Sequence, residues 1–131
     1  MSPPDFSTAA SETSIDEAVI ERVADRSAAL TGEELADALV VVHAELIGRH
    51  SEYERTADYV TDDGVRAYRV EESAWDDLAD AVDLGGEELP AVRAAHTEQA
   101  RLMFSAAADA GDDFRSDQAG VVVGIDTAEQ F

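Results

Sequence analysis

The spacing of apolar residues predicts that a first helix begins at Ser14. Ser14 and Glu17 stand three positions apart, which is the spacing of a capping box, where each side chain accepts a backbone amide proton. Residues 1–13 are rich in Pro, Ser and Thr, so we expect them to be a flexible tail. The apolar residues of the helix recur at helical intervals and would form one stripe. They are Ile15, Val19, Ile20, Val23 and Leu30.

A second, longer helix is expected over 32–56. Thr31 and Glu34 repeat the capping-box spacing, so this helix would begin at Gly32. Its apolar residues occupy more than one face, which is typical of a helix at the centre of a fold. They are Leu35, Leu39, Val40, Val41, Val42, Leu46, Ile47 and Tyr53.

The apolar period then changes from helical to alternating. Two short runs rich in Tyr and Val flank an Asp-Gly pair, which supplies the positive φ angles of a two-residue type I′ turn. This pattern predicts a β-hairpin around 58–70. In the register that such a turn sets, Tyr59 lies opposite Tyr68 and Asp58 lies opposite Arg69, and both are favourable cross-strand pairs.

Two more helices are expected in the second half of the chain. Ser73 would cap a short helix that stops at the glycines 85–86, and a fourth helix would start near Pro90 and run to Gly111. The Val-rich run over 121–125 would form a short strand that joins the hairpin edge or docks on another subunit.

These elements predict an α+β fold that is predominantly α. About four helices are expected, with the hairpin inserted between the second and the third. A single α-rich domain would cover residues 14–111, and residues 112–131 would form a C-terminal tail that contains the short strand.

The charge balance is strongly acidic. The chain has 30 acidic and 9 basic residues, a formal net charge of -21, and every basic residue is Arg. Such a charge usually indicates disorder, but 45% of the residues are hydrophobic and recur with helical spacing. A fold with this self-repulsion needs screening, and at molar salt the Debye length is only about 3 Å. The composition, without Lys or Asn, resembles that of proteins from salt-in halophiles and predicts a halophilic archaeal source.

Several absences bear on where the protein works. Cysteine is absent, which excludes disulfides and thiolate metal sites. No apolar run approaches the roughly 18 residues of a membrane span. The first residues lack the basic segment and apolar stretch of a signal peptide. We therefore expect a cytoplasmic protein with no membrane partner.

The three histidines are the first candidates for chemistry. His43 and His50 share the second helix, but their separation of seven residues places them about 10.5 Å apart along its axis. One metal ion cannot bridge that distance, since helical ligand pairs stand three or four residues apart. His96 would have to approach from the fourth helix. We expect a space-filling role for His43 and an edge position for His50, and no metal site.

An acidic segment resembles a known metal-binding motif. Glu34 and Asp37 match the Glu-x-x-Asp pair that opens a helix in all-α nucleotide pyrophosphohydrolases of the MazG type. In that family a Glu-x-x-Glu pair on the preceding helix completes the Mg²⁺ site. Here that helix carries Glu17 and Glu21, which are four residues apart, so the chain departs from the pattern. The resemblance implies pyrophosphohydrolysis as one alternative function.

The order of two helices and a hairpin resembles that of winged-helix DNA-binding domains. Residues 31–39 resemble the first helix of their helix-turn-helix, and the hairpin with Arg66 and Arg69 resembles their wing. A turn would then fall near 40–42, where the sequence has no Gly or polar break. The resemblance implies a DNA-binding regulator as another alternative, with Arg66 and Arg69 as its DNA contacts.

Protein interaction is the function that the sequence favours. No nucleophile–base pattern and no Gly-rich loop after a strand is found, so we predict no catalytic, cofactor-binding or metal-binding residue and a protein that is not an enzyme. A small domain has few partners for both apolar faces of the second helix, so a second copy or another protein would cover the surplus. We therefore expect a self-assembly or interaction domain, a homodimer, with Val41, Ile47 and Tyr53 as the candidate interface.

Overall fold

The computed structural model describes residues 15–27, 30–62, 64–82, 84, 86–106, 114 and 117–124. Within these residues the chain forms five helices and one three-stranded antiparallel sheet. The protein is thus α+β and predominantly α, as the sequence predicted. The elements are α1 Glu17–Ser27, α2 Gly32–Ile47, α3 His50–Thr56, β1 Asp58–Asp62, β2 Val65–Glu71, α4 Glu72–Ala81, α5 Glu88–Ala106 and β3 Gln118–Gly124.

The first two helices begin with different caps. Thr31 Oγ1 accepts the amide proton of Glu34 at 3.1 Å, and Glu34 Oε1 accepts that of Thr31 at 3.0 Å, so the predicted capping box of α2 is confirmed. In α1 the amide of Ile20 donates to the carbonyl of Asp16 at 3.1 Å. Asp16 therefore precedes the first turn of α1, and Ser14, the predicted cap, lies outside the described residues, as does the predicted tail over 1–13.

The prediction of one helix over 32–56 is wrong, because α2 and α3 are separate helices. The amides of Gly48 and Arg49 donate to carbonyls three residues back, at 3.1 and 2.9 Å, which tightens the last turn of α2. Glycine also lowers helix propensity at this point. After the break, the Tyr53 ring of α3 packs against the Tyr68 ring of β2 with 5.6 Å between centroids.

The sheet is built on the predicted hairpin. Tyr59 pairs with Tyr68 and Asp58 with Arg69, so the predicted register is confirmed. Gly64 has a φ of 77°, the positive value that the tight turn requires. β3 pairs antiparallel with β2, which makes β2 the central strand. The run expected as a strand over 121–125 lies in β3, which already begins at Gln118; residue 125 lies outside the described residues.

The third predicted helix begins earlier than expected, whereas the fourth starts near Pro90 as predicted. Glu71 precedes the first turn of α4, so Ser73 lies inside the helix and does not cap it. The start of α4 is set by a contact with a distant part of the chain. The amide of Glu72 donates to the carbonyl of Asp117 at 3.0 Å, and this hydrogen bond holds the start of α4 beside β3. α5 begins at Glu88, two residues before Pro90, and its predicted end at residue 111 lies outside the described residues.

The core lies between the sheet and the helices. Every residue of β3 from 119 to 124 is buried, which explains why its sequence is an uninterrupted Val run and does not alternate. α5 crosses β3 so closely that a Cβ at Gly120 would lie 2.4 Å from the Ala100 Cβ. No helix in the described ranges is both long and apolar enough to cross a membrane. The largest fully buried side chains include Ile20, Leu35, Leu39, Leu46, Tyr68, Leu78 and Phe104.

Candidate functional site

The outward side of α2 carries an uncharged stripe. Val41 is 46% exposed, Ala44 and Gly48 are exposed, and Val40 and Ile47 are half-buried at the flanks. Residues three and four apart share one side of a helix, so 41, 44 and 48 are neighbours on its surface, and exposed Asp37 precedes Val41 by one turn on the same side. We call these five residues the α2 stripe. It contains both of the α2 residues predicted as an interface: Val41 is exposed, whereas the half-buried Ile47 also packs against the core.

Tyr53, the third predicted interface residue, is not on the surface. It is buried and its ring packs against Tyr68, and burial raises the pKa of its phenol. The sequence suggested an interface position because Tyr53 continues the apolar spacing of α2. The break at 48–49 ends that spacing, so the candidate interface consists of residues of α2 without Tyr53.

Arg66 and Arg69, the predicted DNA contacts, are largely covered and paired. The Arg66 guanidinium lies 4.3 Å from the centroid of the Tyr59 ring and pairs with Glu54 at 3.1 Å. Arg69 pairs with Asp58 at 2.7 Å. Their side chains are only 15% and 17% exposed. Because DNA affinity depends on cations that reach phosphates, this geometry leaves little guanidinium surface for nucleic acid.

The turn required by a helix-turn-helix is not found in the described residues of α2. The helix continues through 40–42 and ends at Ile47. The later break leads to α3, a helix of seven residues, and then directly to β1. The order of elements resembles that of a winged helix, but a recognition helix after a turn near 40–42 is not part of it.

The acidic residues of the pyrophosphohydrolase motif do not form a metal cluster. Glu34 is held by Thr31 in the capping box, and Asp37, Glu17 and Glu21 are exposed. Over the ranges that the structure describes, no three His, Asp or Glu side chains lie close enough together to hold a metal ion. This arrangement gives Glu34 a structural role at a helix start.

The outer edge of β3 is closed by side chains from two helices. In the observed register, residues whose backbone groups face β2 alternate with residues whose groups face outward. Three of the outward amides donate to side chains. Gly120 donates to Thr97 Oγ1 at 3.1 Å, Val122 to His96 Nδ1 at 3.0 Å, and Gly124 to His43 Nε2 at 3.1 Å.

This capping satisfies an edge that would otherwise recruit another strand. Trp75 adds to it, because its Nε1 donates to the Gly120 carbonyl at 3.0 Å. The sequence did not reveal these bonds, since His43 and Gly124 are 81 positions apart. The expectation that His43 only fills space was therefore incomplete: it also accepts a backbone amide proton.

Burial determines the protonation state of His43 and His96. Each ring accepts an amide proton on one nitrogen, so a neutral ring carries its own proton on the other. Burial lowers the pKa of His43. Burial, with the repulsion that a protonated His43 would exert, lowers the pKa of His96 to about 3. His96 Nε2 has no hydrogen-bond partner in the described part of the chain. The pair thus acts as two neutral acceptors that hold β3 in place.

Comparisons with known proteins give one family. No curated protein and no solved structure matches the chain. The family described as Domain of unknown function (DUF8048) matches residues 13–125. That range contains all the described helices and strands, from α1 to β3. The chain therefore belongs to the DUF8048 family.

Proposed function

We propose that this protein is a non-enzymatic self-assembly domain, a cytoplasmic homodimer in a halophilic archaeon, joined through the α2 stripe. The observation that carries the proposal is the exposure of Val41 within an uncharged stripe, on a chain whose net charge is -21. An exposed apolar stripe on such a protein favours a contact that covers it.

A second copy of the chain suits the stripe because of charge. Two copies with this composition repel each other wherever carboxylates meet. The five residues of the α2 stripe carry no carboxylate, and the neighbouring Glu45 is paired with Arg49, so exposed Asp37 is the carboxylate beside the contact. In an antiparallel crossing, Val41 of one copy would meet Ala44 of the other, a self-complementary arrangement. The small residues Ala44 and Gly48 would let the two helices approach closely.

Val41→Glu is expected to convert the dimer to a monomer while helix content stays unchanged. The new carboxylate would be buried without a partner in the interface, yet exposed in the monomer. Light scattering gives the oligomeric state and circular dichroism gives the helix content, both in molar KCl. Ala18→Glu is the matched control, because Ala18 is exposed on α1 outside the stripe. A Val41→Glu protein that stays dimeric would exclude the stripe as the interface.

The halophilic proposal is supported by the balance of ion pairs. Six arginines of the described residues are paired with carboxylates at 2.6–3.1 Å: Arg22, Arg26, Arg49, Arg66, Arg69 and Arg93. With 30 acidic residues in the chain, most carboxylates have no arginine to offset them. Their mutual repulsion is the physical reason to expect a high-salt cytoplasm, where screening is strongest.

Stability is expected to fall as KCl is lowered from molar concentration to about 0.1 M. The Debye length then grows from about 3 to about 10 Å, so neighbouring carboxylates begin to repel. Thermal unfolding followed by circular dichroism across a KCl series measures this. An unfolding midpoint independent of KCl would contradict the halophilic proposal and leave the fold unaffected.

The two alternative functions gain no support from the described residues. A winged-helix regulator would need accessible arginines on the hairpin and a turn within α2, and a MazG-type pyrophosphohydrolase would need converging carboxylates. A DNA titration in molar KCl and an assay of nucleoside triphosphate hydrolysis with Mg²⁺ test these alternatives directly.

A further inference from the structure

The two edges of the sheet differ. Three side chains accept protons from outward amides of β3, whereas β1 is the opposite edge of the sheet. Asp62 and Val65 flank the two-residue turn and form a hydrogen-bonded pair, so the alternate residues Tyr59 and Thr61 direct their backbone groups outward. Within the described residues, no hydrogen bond reaches those outward groups.

Apolar surface lies on both sides of this open edge. Tyr59 is 42% exposed and Leu102 is 47% exposed; with Val41 they are the exposed large hydrophobics of the described chain. A cleft of about 370 Å³ runs between β1 and the second half of α5. Its apolar lining comes from Val60, Leu102, Met103 and Ala106. An incoming strand at the β1 edge would have a pocket for a side chain beside it.

The surroundings of the edge are acidic. Asp16 is exposed, lines the cleft itself and has no arginine partner among the described residues. Asp58 and Glu54 are also exposed, and each is paired with an arginine. The nearby cations, Arg66 and Arg69, are engaged with Glu54 and Asp58 and project little surface. The edge therefore complements a positively charged partner.

We infer that β1 is a docking site for an extended segment of another protein, one that alternates basic and apolar side chains. The segment would add a fourth strand to the sheet through the backbone groups of Tyr59 and Thr61, and an apolar side chain would enter the cleft beside Leu102. A second copy of β1 fits less well, because it would bring together the acidic edges of two chains that each carry a net charge of -21. This inference does not rest on the α2 stripe.

The probe is a blocked seven-residue peptide of alternating arginine and valine, titrated into the full-length protein in about 1 M KCl. Its control has the same composition with the arginines and valines in two blocks. We expect the alternating peptide to bind about tenfold more tightly, and to slow amide exchange at Tyr59 and Thr61 when followed by nuclear magnetic resonance. Equal affinity for the two peptides, or protection confined to other amides, would overturn the inference.

A matched pair of variants at Thr61 separates the proposed backbone hydrogen bond to the docked strand from any contact of the Thr61 side chain. Thr61→Pro removes an outward amide that the sheet does not use, and Thr61→Ala removes the same side chain but keeps the amide. Both lose the bond from Arg66 Nε to Thr61 Oγ1. The proline variant should weaken peptide binding about tenfold relative to the alanine variant, and equal affinities would contradict the proposed strand addition.

Two further measurements, peptide binding to a cleft variant and amide protection in the free protein, test the docking site if Thr61→Pro does not fold. Leu102→Ser changes an exposed side chain of the cleft, and it should weaken binding of the alternating peptide without changing the thermal midpoint. Unchanged affinity would count against the cleft as the side-chain pocket. Protection of the Tyr59 and Thr61 amides in the free protein, rising with its concentration, would show that a second copy occupies the edge and would overturn the inference.

Discussion

Replacing Gly120 with alanine is expected to destabilise the protein by about 3 kcal/mol or more. A Cβ at this position would lie 2.4 Å from the Ala100 Cβ and 2.9 Å from the His96 carbonyl oxygen. Neither neighbour is the free end of a flexible side chain, so β3 and α5 would have to move apart. That movement would also lengthen two hydrogen bonds, from the Gly120 amide to Thr97 Oγ1 and from Trp75 Nε1 to the Gly120 carbonyl.

Gly32→Ala is the matched control for this prediction. A Cβ at Gly32 would meet no atom within 4 Å, and Gly32 is the first residue of α2. Alanine there should leave stability unchanged or raise it by a few tenths of a kcal/mol through helix propensity. Urea unfolding of both variants in molar KCl gives the comparison. If Gly120→Ala is as stable as Gly32→Ala, then α5 does not cross β3 in the way described.

Lowering the pH from 8 to 5 is expected to remove about 2 kcal/mol of stability through His96 alone. Above pH 6.5 the ring is neutral in both the folded and the unfolded states, so it contributes no pH dependence. Below that value the unfolded chain takes up a proton, whereas the folded chain does not until the pH nears the lowered pKa of about 3. Stability is therefore lost as the pH falls. The lowered pKa of His43 acts in the same direction.

Between pH 6.5 and 5 the change in the free energy of unfolding comes mainly from the histidines, because the ordinary pKa values of Asp and Glu lie below this range. Urea unfolding at fixed molar KCl, repeated from pH 8 to pH 5, measures the effect. In His96→Gln the part of the slope due to His96 should disappear, although the variant will be less stable at every pH because its packing against Trp75 is altered. A wild-type stability that is flat over the whole range would show that the two rings are not held as neutral acceptors.

The local features of the fold could be predicted from the sequence, because each depends on residues close together in the chain. The capping box needs only Thr31 and Glu34, and the hairpin register follows from the Asp-Gly turn. Both are confirmed. The start of α4 was wrong by two residues, since the deciding contact, between Glu72 and Asp117, joins distant parts of the chain.

The roles of buried polar residues could not be predicted for the same reason. His43 and His96 lie on different helices and meet β3 only in the folded protein. Tyr53 continued an apolar spacing that stops at Gly48, and a glycine in a helical pattern does not by itself reveal whether the helix breaks. The exposure of Val41 likewise depends on which face of α2 the other helices cover. Apolar periodicity alone could not show which of the two apolar faces of α2 packs in the core and which stays exposed.

The molar mass of the wild-type protein in about 3 M KCl decides whether the chain self-associates. Sedimentation equilibrium over a range of protein concentrations measures it without reference to shape. The proposed homodimer predicts a mass about twice the 14.0 kDa of one chain, with dissociation only on dilution. A mass of one chain at every concentration up to about 1 mM would contradict self-assembly through α2.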